Sequence, residues 1–166
     1  QSANVLLAAV VAYQCGMLCF GPMDRLLDTR KWIAIGGTAA IALILGVLAL
    51  ASAPPLWLVV AAIIGIGFFS ASSTMIMTHG RAIFPDRLIG RGMSTMNTFV
   101  MLGVACMQSL SGLILGAFEP LADGSRPDVA YRTLFGIMSA ILIMAVSVYS
   151  RVADVRPSDE LRGASK

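Results

Sequence analysis

Polar and apolar positions along this chain fall into long blocks. Residues 1–20 contain no Asp, Glu, Lys or Arg, and residues 32–80 contain none either. Between them, residues 24–31 (DRLLDTRK) carry Asp24, Arg25, Asp28, Arg30 and Lys31. Spanning a bilayer takes about 20 apolar residues at a rise of about 1.5 Å each. The pattern predicts five such helices, at about 3–23, 32–51, 56–78, 93–118 and 133–150. Pro54 and Pro55 separate the second from the third, because proline lacks the amide hydrogen and clashes with the preceding turn. Residues 33–50 (IAIGGTAAIALILGVLAL) have no polar face to show to water, so the helices are expected in lipid rather than in a soluble bundle.

Composition agrees. The chain of 166 residues is 57% hydrophobic and 13% charged, against about 25% charged in soluble domains. Its mean hydropathy is +0.82. The basic residues flank the spans, so the net charge of +3 implies membrane insertion and no nucleic-acid partner. Loop 24–31 holds Arg25, Arg30 and Lys31, and loop 79–92 holds Arg81, Arg87 and Arg91. The tail holds Arg151, Arg156, Arg162 and Lys166. The opposite side has only Arg126 and Arg132, beside Glu119, Asp123 and Asp128. The positive-inside rule places the first group in the cytoplasm, with the start of the chain outside. The expected organisation is a helical domain over 1–152 and a polar cytoplasmic tail over 153–166. The start at Gln1 and the odd number of spans lead us to expect a fragment.

Little here points to enzymatic chemistry. Cys15, Cys19 and Cys106 lie inside apolar runs, which argues against a disulfide framework or a zinc site. His79 is the one histidine and has no ligand set beside it. No phosphate-binding glycine loop with a lysine and no nucleophile elbow occurs. No cofactor and no metal are expected.

The stretch GPMDRLLDTRK does raise a question. Asp24 comes at the end of a helix, where the macrodipole disfavours an anion. Arg25, Arg30 and Lys31 are available partners, so either a solvated charged loop or an ion-pair latch is physically sensible. FPDRLIGRG repeats Asp-Arg-Leu after a proline, on the same expected side. Within the spans, Asn97 and Gln108 are eleven residues apart, close to three helical turns, so they share a face with Met101 and Val104. Buried amides in lipid either tie helices together or line a cavity. Gln14 invites the same two readings. Gly36 with Ala40, and Gly112 with Gly116, form small-xxx-small pairs suited to close helix packing.

GPMDRLLDTRK resembles the cytoplasmic-loop motif of the major facilitator superfamily of secondary transporters. The resemblance begins at Gly21 and runs through Asp24, Arg25 and the basic pair Arg30 and Lys31. It departs in two ways: Gly21 precedes Asp24 by three positions rather than four, and Leu27 stands where the motif has its second glycine. HGRAIFPDRLIGRGMSTMNTFVMLGVACMQSLSGLILG (79–116) is similar to the family's join between helices ten and eleven. The degenerate motif matches the loop after helix eight better than that after helix two. The resemblance therefore implies helices eight to twelve, with helices two to six as the other placement. It implies an all-α, polytopic membrane protein forming part of the family's bundle. Membrane lipid and the remaining helices would be its partners. A small solute would move by alternating access between two bundles, with coupling to a proton or another ion. Gly21, Asp24, Arg25, Arg30, Lys31, Arg87 and Arg91 would then form the cytoplasmic gate. Gln14, Asn97 and Gln108 would line the cavity. The location implied is the plasma membrane, specifically a bacterial inner membrane. A membrane scaffold without a transport path is the competing class.

Overall fold

The computed structural model describes residues 2–121, 124–155 and 158. Asp123, Arg156, Arg162, Lys166 and most of the expected tail lie outside the described residues. The described chain is helical throughout, in the order α1 (Ser2–Leu26), α2 (Lys31–Leu50), α3 (Leu56–Ser70), α4 (Ser73–Ile83), α5 (Ile89–Gly116) and α6 (Asp128–Tyr149), with a 3-10 turn at Asp86–Leu88. Taking α3 and α4 as one unit, five segments are long and apolar enough to cross a membrane. In lipid a helix satisfies its own backbone polar groups, and these sequences form nothing else among the described residues.

The element ends differ from the expected spans in instructive ways. α1 runs past Pro22 to Leu26 and so carries Asp24 and Arg25 on its last turn. It ends where Asp28 adopts a left-handed conformation, φ 49°, while Thr29 N–H reaches back to the Asp24 carbonyl at 3.2 Å. This is the six-to-one bond of a Schellman cap. The expected loop 79–92 is mostly helix. Thr78 to Ile83 continue α4, Arg91 already belongs to α5, and only residues 84–88 connect them. The repeated Asp-Arg-Leu therefore has two structures, the last turn of α1 and a 3-10 turn before α5. At the other end, α6 starts directly after Pro127, five residues earlier than expected, which puts Asp128 in its first turn. That position favours an anion, and proline before it cannot continue a helix backwards.

The third span is jointed. Between α3 and α4 the backbone switches to i→i+3 bonds: Ala71 to Phe68, Ser72 to Phe69, Thr74 to Ala71 and Met75 to Ser72. The sequence there is SASST. Ser70, Ser72 and Thr74 hydroxyls each donate to a carbonyl of the preceding turn. Such back-bonding competes with the regular ladder and bends helices.

The joint sits where three helices meet. Phe20, Ile33, Ala34, Ala71 and Met75 form the buried centre, joined by Tyr13, Phe68, Phe69 and Tyr149. Phe20 lies 5.4 Å from Phe68, ring centre to ring centre, and Phe68 meets Phe69 edge-on at 5.3 Å. Helices approach closely at Gly16, Gly37 and Gly67. A Cβ on Gly37 would collide with the Ser72 hydroxyl, and one on Gly67 would stand 2.5 Å from the Ala9 carbonyl oxygen. α6 packs along α2, where Ser139 Oγ donates to the Ala42 carbonyl at 2.7 Å. α5 buries only Gly92 within this chain, under the ring of Phe84.

Candidate functional site

Long-range polar contacts concentrate at one end of the bundle. It is formed by the α1–α2 turn, the end of α4 and the segment after α6. Arg30 Nε lies 3.5 Å from Asp24 Oδ2, and both side chains are largely buried. The pair joins the last turn of α1 to the residue preceding α2. Lys31 is buried too. Its ammonium donates to the Ser150 carbonyl at 2.7 Å, at the end of α6, and stands 5.2 Å from the Trp32 ring. A cation there complements the negative pole of that helix. Thr29 Oγ1 donates to Asp154 Oδ2 at 2.7 Å and accepts from Trp32 N–H. Asp28 accepts from the backbone N–H and the hydroxyl of Ser158, at 2.9 and 2.7 Å.

His79 closes the cluster from α4. It is 1% exposed. Nδ1 lies 2.6 Å from the Tyr149 hydroxyl, and Nε2 lies 3.1 Å from the Ala153 carbonyl. Val155 N–H also points at Nε2, at 3.4 Å. Beside this knot, Asp154 Oδ1 is buried and has no hydrogen-bond partner among the described residues. None of these links was readable in the sequence, because His79 and Tyr149 are 70 positions apart. The available hint was a lone histidine near one span end and a tyrosine closing another.

The remaining expected gate residues sit differently. Gly21, Arg25, Arg87 and Arg91 are exposed at this end and do not join the buried pair. A cavity of about 420 Å³ opens beside Arg30, lined by Thr78, Arg81, Phe84, Asp86 and Ile89. Among the described residues no group of three His, Cys, Asp or Glu side chains could hold a metal.

Gln14, Asn97 and Gln108 are all exposed on their helices. Gln108 lines a shallow groove with Gly103, Val104, Met107, Ser111 and Met138. α1 and α5 share no extended contact, so Gln14 is not brought to the amides of α5 within this chain. The expected packing glycines are displaced as well. Gly36, Gly112 and Gly116 face open space, whereas Gly16, Gly37 and Gly67 make the close approaches. Periodicity ranks small residues by spacing, but which face meets a neighbour depends on how the helices cross. Ala40, one turn from Gly36, is half-buried.

A family model described as Major Facilitator Superfamily matches residues 1–166. No curated protein and no solved structure matches the chain.

Proposed function

The chain belongs to the major facilitator superfamily, a family of secondary transporters of the membrane, and from that premise we propose that it supplies five helices of a transporter that moves a small solute by alternating access. The observation that carries this reading, beside the family, is the largely buried Asp24–Arg30 pair joining α1 to α2 at the charged end. A carboxylate on the last turn of a helix is unfavourable by itself. Paired, it becomes a contact that can hold two helices in one arrangement and release them in another.

In this reading the charged end is cytoplasmic, since it holds Arg25, Arg30, Lys31, Arg81, Arg87, Arg91 and Arg151 while the opposite end has Arg126 and Arg132. The first residues then face outward, and a bacterial inner membrane is the setting. The late basic pair favours helices eight to twelve. The exposed amides Gln14, Asn97 and Gln108 would face the cavity or the family's other bundle. Coupling to a proton through a carboxylate would use a group elsewhere, because no span interior holds an Asp, Glu, Lys or Arg side chain.

Uptake by the full-length protein in vesicles tests the latch. Asp24→Asn should lower flux by about tenfold, the scale of one lost charge-assisted contact of about 1.4 kcal/mol. Insertion, measured by detergent extraction and gel filtration, should be unchanged. The exchange Asp24→Arg with Arg30→Asp should recover part of the loss. Unchanged flux in Asp24→Asn removes the latch.

A further inference from the structure

We propose that Asp154 is a positioning residue: through Thr29 it sets the turn between α1 and α2 so that Arg30 stands against Asp24. This rests on the reading of the Asp24–Arg30 pair as a latch, and it gives that latch a third participant, the segment after α6.

At the first turn of α2, Arg30 occupies the capping position, and its side chain makes no capping bond. A guanidinium has donors only, so it cannot accept from the free N–H groups of a first turn. Thr29 supplies the missing acceptor from one residue earlier, where its Oγ1 takes the Trp32 N–H at 3.3 Å. Thr29 also closes α1, since its own N–H reaches the Asp24 carbonyl at 3.2 Å. One residue thus ties the end of α1 to the start of α2, immediately before the arginine of the pair.

A hydroxyl carries one hydrogen and two lone pairs. For a lone pair of Thr29 to face Trp32, the hydrogen needs an acceptor on another side. Asp154 Oδ2 is that acceptor, at 2.7 Å. A bond from a hydroxyl to a carboxylate is charge-assisted and among the stronger hydrogen bonds. The neighbouring residues repeat the arrangement. Asp28 accepts from the N–H and hydroxyl of Ser158, and Lys31 donates to the Ser150 carbonyl. Residues 28, 29 and 31 are therefore held in antiparallel order by residues 158, 154 and 150, while Arg30 between them meets Asp24. With the turn fixed on both sides of Arg30, forming the pair has little left to order. Without that anchor the pair itself must order the turn and a long side chain.

Hydrogen–deuterium exchange of the full-length protein in lipid nanodiscs tests this, reading the amides of residues 29–34. Asp154→Ala should raise exchange there by about tenfold, the scale of one charge-assisted hydrogen bond, and leave residues 134–145 of α6 as in the wild type. Thr29→Val, which removes the hydroxyl at nearly constant shape, should give the same local rise, and it serves if Asp154→Ala does not fold. Asp154→Asn, which keeps an acceptor oxygen, should restore most of the protection. Arg151→Ala, at an exposed residue of the same segment, should change nothing. Unchanged exchange at 29–34 overturns the proposal. So does an equal rise in α6, which means general loosening, or an Asp154→Asn variant that behaves as the alanine does. Flux in vesicles gives a second readout. Asp154→Ala should lower it by itself and add nothing to the loss in Asp24→Asn, since both act on one contact. Additive losses overturn the positioning role. If Asp24→Asn leaves flux unchanged, the latch reading fails, and the exchange measurement still decides whether Asp154 holds the turn.

Discussion

Gly37 is where single-residue geometry is tightest, because the space its side chain would need is occupied by Ser72 of the α3–α4 joint. Gly37→Ala must push apart α2 and α4 or force the Ser72 hydroxyl off the Phe69 carbonyl. Overpacking of this kind costs about 1–3 kcal/mol. The midpoint of thermal unfolding of the full-length protein in detergent should drop, while Gly36→Ala, which points into open space, should leave it unchanged. The contrast between adjacent glycines also shows what sequence can say at this scale. The GG pair announces a slim stretch of helix, but a rotation of about 100° per residue decides which of the two meets a neighbour. Spacing alone favoured Gly36. The same holds for His79. Its uniqueness was visible, while its partners on the α6 side were assembled by folding.

At the scale of elements, hydroxyl groups divide into two kinds. Thr38, Thr98, Ser111, Thr133 and Ser147 donate to a carbonyl four residues back in their own helix, so they hide a polar group without linking anything. Ser139 instead donates across to Ala42 of α2 and is buried between the helices. Interhelical hydrogen bonds in membranes contribute about 0.6 kcal/mol on average and up to about 1.7. Ser139→Ala should therefore destabilise the protein by about that range, and Ser147→Ala by close to nothing, in a matched pair of unfolding titrations. Arg132 is a second cross-element contact. Its guanidinium donates to the Ala49 and Leu50 carbonyls and so caps the open end of α2. Element existence was legible throughout, since a run of apolar residues in lipid has few alternatives to helix. Element ends were less so. α1 continues past the expected end at 23 to Leu26, and α4 and α5 absorb most of an expected loop, because charged residues at a helix end remain helical when caps and partners are at hand.

For the whole molecule, the five membrane-length segments place 24–31, the α4–α5 connection and 150–155 at one end, as the contacts of Lys31, Thr29 and His79 require. Residues 51–55 and the α5–α6 connection take the other end, where Arg132 reaches α2. Cysteine labelling from either side of the membrane checks this. With Cys15, Cys19 and Cys106 replaced, Asp86→Cys and Arg151→Cys should react from one side and Ala53→Cys from the opposite side. Labelling of all three from the same side would refute the arrangement. α5 stands apart, with almost its whole length exposed in this chain. Its apolar residues fit a lipid environment.

Hydropathy alone determined that this polypeptide is a set of helices in lipid, because burying about 20 consecutive apolar residues leaves the backbone one way to satisfy itself. Charge placement along the sequence determined which connections share an end. The tertiary structure decided the rest: which glycine is crowded, where the third span bends, and that His79, Tyr149, Asp154 and Thr29 form one knot. The knot depends on contacts between residues 70 to 125 positions apart, and the crowded glycine on the meeting of Gly37 with Ser72 of another helix. No local periodicity encodes them, since they follow from how the helices cross.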